Sequence, residues 1–114
     1  MKTVQILLST YNGEKYLKEQ LESILHQDYS GITILIRDDG STDGTIRILE
    51  KYASEYSQIT YYIGENIGAK YSFFDLVKNA NMSYDYYSFS DQDDVWSHNK
   101  VSKALERLNT MQQE

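Results

Sequence analysis

The feature that most constrains this chain is an alternation between two hydrophobic periods. Apolar runs of strand length occur at Val4 to Leu8, Ile32 to Ile36, Ile59 to Ile63 and Tyr86 to Ser90. Each is followed by a segment whose apolar residues recur at helical spacing. Leu17, Leu21, Ile24 and Leu25 mark the first, and Ile46, Leu49 and Ala53 the second. Phe73, Phe74, Val77 and Ala80 mark the third; Val101, Ala104, Leu105, Leu108 and Met111 mark the last. Three- and four-residue spacing puts side chains on one helix face, and continuous β-branched runs suit strands buried on both sides. Strands and helices alternating four times predict an α/β fold, a mostly parallel sheet with helices on both faces. The 114 residues suffice for a single domain, 1–114, and are too few for two ordinary ones. The polar end "NTMQQE" reads as a helix running out or as a boundary inside a larger protein.

Composition removes several functions. A net charge of −6 argues against nonspecific nucleic-acid binding. The absence of cysteine excludes disulfides and thiolate metal sites. No apolar stretch is long enough to span a bilayer and no leader pattern is visible, so the expected location is cytoplasmic.

In open α/β sheets, ligands bind beyond the carboxyl ends of the strands. The unusual polar residues of this chain fall there. Ser9, Thr10, Tyr11 and Asn12 follow the first run, Asp38 and Asp39 the second, Asn66 and Gly68 the third, and Asp91, Asp93 and Asp94 the fourth. The last group, in "FSDQDDVW", sets three like charges within four residues. Such crowding costs roughly 1 kcal/mol per pair even in water. Either the turn is simply solvated, or a cation completes it. A second acidic stretch, Asp39 to Glu50, fits the ligand pattern of a calcium-binding EF-hand loop, but the segment entering it, "ITILIR", has a strand pattern where an EF-hand needs a helix. The first strand is followed by "STYNGEKY", which is neither a dinucleotide fingerprint nor a phosphate-binding P-loop.

Taken in order, "STYNGEKYLKEQLESILHQDY", "IRDDGSTDGT", "ENIGAKYSF" and "FSDQDDVW" resemble the nucleotide-sugar-binding half of inverting glycosyltransferases of family 2, with the Rossmann-like GT-A fold. "DQDDVW" is most similar to the branch that transfers rhamnose from dTDP-rhamnose in bacterial surface polysaccharides. The resemblance implies a dTDP- or UDP-linked sugar donor, a saccharide or lipid-linked acceptor, and Mg²⁺ or Mn²⁺ held by hard oxygen ligands. It allows peripheral association of a full-length protein with the inner face of the membrane. It implies that Asp91 and Asp93 form the D-x-D pair, Asp93 on the metal and Asp91 on the ribose or a metal-bound water. Asp94 assists or caps the next turn. Asp39 would accept the ring N–H of the base, with Asp38 as runner-up. Thr10 and Tyr11 would hold base and ribose. Asn12 would do the same or cap the following helix. Asn66, Gly68 and Lys70 would lie near the nucleotide, Lys70 also reading as a solvated loop lysine. Trp96 would roof the sugar or pack in the core.

Three departures stand out. Ser9 replaces the usual proline, Phe73 stands where an arginine is common, and the acceptor half with its general base has no counterpart up to Glu114. No catalytic base is therefore named, and the chain is expected not to transfer sugar by itself. The rival reading is a non-catalytic nucleotide-binding module of the same fold; a broken D-x-D would favour it, and here the motif is intact.

Overall fold

The computed structural model describes residues 1–91 and 94–113. Strands and helices alternate as β1 (Val4–Thr10), α1 (Leu17–Leu25), β2 (Ile32–Asp38), α2 (Thr45–Glu55), β3 (Ile59–Ile63), α3 (Ala69–Asn79), β4 (Tyr86–Ser90) and α4 (Lys100–Gln113). All pairings are parallel, and the strand order is β3-β2-β1-β4. β1 is central: it runs beside β2 from Val4↔Ile32 to Thr10↔Asp38 and beside β4 from Val4↔Tyr86 to Leu8↔Ser90. Every residue of β1 is buried, as its unbroken apolar run requires of a strand covered on both faces. The chain builds outward from β1 through β2 to β3 and then crosses back to place β4 on the other side. The order therefore reverses between β1 and β4, where such sheets open a crevice.

Alternation along β1 divides the core. Val4, Ile6 and Leu8 face a cluster with Leu17, Leu21 and Ile24 of α1, Leu49 and Tyr52 of α2, and Val101 of α4. Each fully buried leucine or isoleucine there contributes roughly 1.5–3 kcal/mol relative to exposure. The opposite face of β1 turns to α3, where Ser9 donates a 2.6 Å hydrogen bond to Ser72.

α3 differs from its sequence reading. Phe74 and Val77, which mark its helical period, are largely exposed, while Ser72 and Leu76 are the buried residues of the helix. The reason is the polar lower end of this face: a serine fits beside Ser9 and a nearby buried arginine, and a phenylalanine would leave their polar groups without partners. Trp96 packs in the core at 5% exposure, its amide held by Ser23 Oγ at 3.0 Å, so it is a core residue. Among the described residues no helix is long and apolar enough to cross a membrane.

Candidate nucleotide site

At the carboxyl edge of the sheet, beside the β1–β4 reversal, lies an open cavity of about 380 Å³ lined by Ser9, Tyr11, Asp39, Asn66, Gly68, Ala69, Phe73 and Asp91. Two carboxylates from different strands thus face one space, Asp39 just past β2 and Asp91 just past β4.

The paired aspartates are separated by strand alternation. Asp38, fully buried, accepts the hydroxyls of Thr10 at 2.8 Å and Ser41 at 2.7 Å and the amide of Ser41 at 2.8 Å. It closes the turn that leaves β2. Asp39 turns to the cavity side. Its Oδ1 accepts Arg37 Nη1 at 2.6 Å and the Ile67 amide at 3.0 Å, and its Oδ2 accepts the Gly68 amide at 3.0 Å. Burial alone would raise the Asp39 pKa, but the donors at Ile67, Arg37 and Gly68 and the guanidinium charge outweigh it and hold the carboxyl below its ordinary value. Asp39 is an ionised acceptor with a defined orientation.

The loop 64–68 is shaped around Arg37. The guanidinium donates from Nη2 to the Glu65 carbonyl at 3.0 Å and from Nη1 to Ser72 Oγ at 3.0 Å, and its Nε lies 3.3 Å from Asp75 on α3. A Cβ on Gly64 would fall 2.1 Å from Arg37 Nη2, so residue 64 has no room for a side chain. Asn66 and Gly68 reach the cavity because this loop is pinned from below.

Asp91 is exposed at the cavity rim, and its backbone is fixed. Gln20 of α1, fully buried, donates from Nε2 to Ser90 Oγ at 3.0 Å and to the Asp91 carbonyl. Asp94 is committed elsewhere, accepting Trp96 Nε1 at 3.3 Å and lying 3.9 Å from Lys100 Nζ. Asp93 lies outside the described residues. Among the described residues no group of three or more histidine, cysteine or acidic side chains could hold a metal by itself. Asp91 is nonetheless a hard oxygen donor at the cavity rim, which suits Mg²⁺ or Mn²⁺ when further oxygens come from Asp93 and a diphosphate.

Two expected ligand contacts are placed differently. Thr10 is 1% exposed and its hydroxyl is held by Asp38, so it supports the turn behind the cavity. Asn12 neither lines this cavity nor caps α1. At a left-handed φ of 47° its Oδ1 accepts the Thr42 amide at 2.8 Å, and its own amide donates to Ser41 Oγ at 2.8 Å. It joins the β1 exit to the turn before α2, where the free amides of 42–44 need an acceptor. Tyr11, half-exposed, remains at the cavity. Lys70 lies over the rings of Tyr71 and Phe74 at 5.8 and 6.0 Å and borders an adjoining apolar groove with Phe73, Phe89 and Asp91. Phe73 packs edge-on against Phe89.

The EF-hand alternative fails on the same geometry. The strand β2 enters the segment, Asp39 faces Arg37, and Glu50 lies inside α2. Arg37, Gln20 and Ser72 were missed by motif reasoning. A signal existed for Arg37, a charge in an otherwise apolar strand run, "ITILIR", beside two aspartates.

A family model described as glycosyl transferase family 2 matches residues 5–112. A dTDP-rhamnosyl transferase, RfbG of Shigella flexneri, is 40% identical over 105 residues, covering 89% of this chain and 36% of that protein. The crystal structure of S. aureus TarS 1-349 in complex with UDP-GlcNAc superposes with a TM-score of 0.84 at 28% identity, over 96% of this chain and 32% of the other. A mannosyltransferase from Pyrobaculum calidifontis, in complex with GDP-Man and Mn²⁺, shares the fold at a TM-score of 0.82 and 23% identity, over 92% of this chain and 32% of its own. The chain therefore spans about a third of the length of these proteins.

Proposed function

This chain belongs to glycosyl transferase family 2, and from that premise we propose that it is the donor-binding half of an enzyme that moves a sugar from a nucleoside diphosphate to a saccharide or lipid-linked acceptor, with inversion. The similarity to RfbG favours rhamnose carried on dTDP, and a 34% identity to a putative teichuronic acid biosynthesis glycosyltransferase of Bacillus subtilis favours a role in bacterial surface polysaccharide synthesis. The observation that carries the reading is the convergence of Asp39 and Asp91, from β2 and β4, on one cavity at the strand-order reversal.

The division of labour follows from position. Asp39, ionised and held by three donors, accepts the imide N–H shared by uracil and thymine. Tyr11 flanks the base and ribose, and Asn66 and Gly68 line the same cavity as Asp91. Asp91 takes the ribose hydroxyl or a metal-bound water, and with Asp93 would hold a divalent cation. Such a cation neutralises charge developing on the departing diphosphate. Gln20 keeps Asp91 at the rim through its carbonyl.

Calorimetric titration of dTDP and UDP in Mn²⁺, repeated after EDTA, tests the reading. Binding is expected in Mn²⁺ and a loss of about tenfold or more without it, because the diphosphate would then face the aspartates unscreened. Equal affinity in both conditions removes the metal role; no binding in either removes the nucleotide site.

A further inference from the structure

The carboxylate of Asp39 has four acceptor positions, two on each oxygen. Oδ1 holds two donors, Arg37 Nη1 at 2.6 Å and the Ile67 amide at 3.0 Å, so it is full. Oδ2 holds one, the Gly68 amide at 3.0 Å. Arg37 is itself fixed: it is 4% exposed, anchored by Ser72, the Glu65 carbonyl and Asp75, and Asp75 is held in turn by the Tyr62 hydroxyl at 2.7 Å. The bare backbone at Gly64 leaves the guanidinium its space. Nothing in this arrangement lets the carboxylate turn without breaking several hydrogen bonds of buried groups.

Resting on the reading of this cavity as a nucleotide-base pocket, we infer that Arg37 is a positioning residue that sets base choice. Together with the Ile67 amide it fills Oδ1 of Asp39 and leaves a single acceptor position, at Oδ2, for the base. Uracil and thymine present one imide N–H, which that position satisfies. Guanine presents two neighbouring donors on the same edge, N1–H and the exocyclic amine, which a carboxylate takes with both oxygens at once. Here the second oxygen has no position left, so one guanine donor would be buried without a partner. The pocket is thereby restricted to single-imide bases by a residue that does not itself touch the base.

The test is a set of calorimetric titrations in Mn²⁺ with UDP, dTDP, GDP and N3-methyl-UDP, on the wild-type chain and on Arg37→Met and Arg37→Lys. For the wild type, UDP and dTDP are expected to bind about tenfold or more tightly than GDP and than N3-methyl-UDP, the usual scale for one unmet buried hydrogen bond. In Arg37→Met the freed Oδ1 can swing toward the base, and the UDP-to-GDP ratio should fall to about threefold or less. Arg37→Lys restores one donor and should recover part of the preference. A wild type that binds UDP and GDP equally overturns the inference and leaves the nucleotide site standing. A wild type that binds none of the four removes the site reading and the inference with it. An Arg37→Met variant that is folded by circular dichroism and weakens UDP and GDP by the same factor shows a merely structural arginine, and also overturns it. The wild-type comparison needs no variant to fold.

Discussion

At the scale of single residues, the molecule is organised by what each buried polar group must bond to. Arg37 and Asp39 are both nearly inaccessible, and an unpaired charge at either place would cost several kcal/mol. The depressed Asp39 pKa has a definite sign in the stability. Its contribution is fully present above the unfolded carboxyl value of about 3.9 and is lost as pH falls through the lower folded value. Tyr62 gives the opposite sign on the alkaline side. Burial, then the hydrogen bond to Asp75 and the charge of that carboxylate, push its phenol up to about 12. Stability from this phenol is complete below the unfolded value of about 10 and disappears as pH rises through 12. Asp75→Asn should therefore bring one tyrosine titration down toward the ordinary range, read as phenolate absorbance against pH. An unchanged absorbance curve would show that Tyr62 is not held by Asp75. Tyr52, raised by burial and by Glu22, provides an internal control that should not move.

At the scale of elements, the loops carry the site and the helix starts hold the loops. Asp43, just before the N-cap Gly44, accepts the Thr45 amide at 2.9 Å and its hydroxyl at 2.6 Å, covering one free amide at the start of α2. Replacing it by alanine should cost about 0.5–1.5 kcal/mol, the scale of lost hydrogen bonds to a free helix-start amide, seen as a lower urea midpoint with an unchanged slope. A midpoint that does not move would mean that water replaces the carboxylate without loss. The strands and helices themselves were legible because their hydrophobic periods are unmixed: Ile59 to Ile63 and Tyr86 to Ser90 are strands with those limits. β2 runs past Ile36 to Asp38, since Arg37 and Asp38 find buried partners that a residue-by-residue hydrophobicity reading does not see. The face of α3 was illegible for the same reason. Ser72 is buried because Ser9 and Arg37 meet it, and those partners lie 63 and 35 residues away in sequence. Asn12 was open between ligand and helix cap; its acceptors' partners sit 30 residues on, at Thr42. Strand ends alone placed Asp38, Asp39 and Asp91 at the ligand-binding edge and the resemblance singled out Asp39 over Asp38, whereas the supports Arg37 and Gln20 are tertiary facts.

At the scale of the whole molecule, the four βα units form the cavity proposed as the donor site and an apolar groove beside it. Phe74, Phe89 and Val77 are each about half exposed or more beside that cavity, and they line an apolar groove that no described residue covers. Sugar transfer needs an acceptor hydroxyl held in line with the sugar's reacting carbon and a base within hydrogen-bond reach of its proton. Positioning of this kind is worth roughly 7–11 kcal/mol, and a general base typically contributes about 10²–10⁴-fold. Among the described acidic groups near the cavity, Asp39 is saturated on one oxygen and in the proposed reading faces the base, Asp91 at the rim is in that reading taken by the ribose or the metal, and Asp75 is bound to Arg37 and Tyr62. Glu14 sits across the α2 turn, bonded to the Gly44 amide at 3.2 Å. None is free for the acceptor proton. The 114-residue chain should therefore bind donor but glycosylate acceptors at least about 10³-fold more slowly than a protein of its relatives' length. Donor hydrolysis is the one slow turnover expected, because water needs no acceptor pocket. Labelled dTDP-rhamnose and other nucleotide sugars, offered with a panel of saccharide acceptors to this chain and to a longer form side by side, decide the matter. Comparable transfer by both would mean that one of Glu14, Asp75 and Asp94 leaves its present partners to act as the base. Alanine substitution of each, read against donor affinity, would then identify which one: its loss would abolish transfer while leaving nucleotide binding in place.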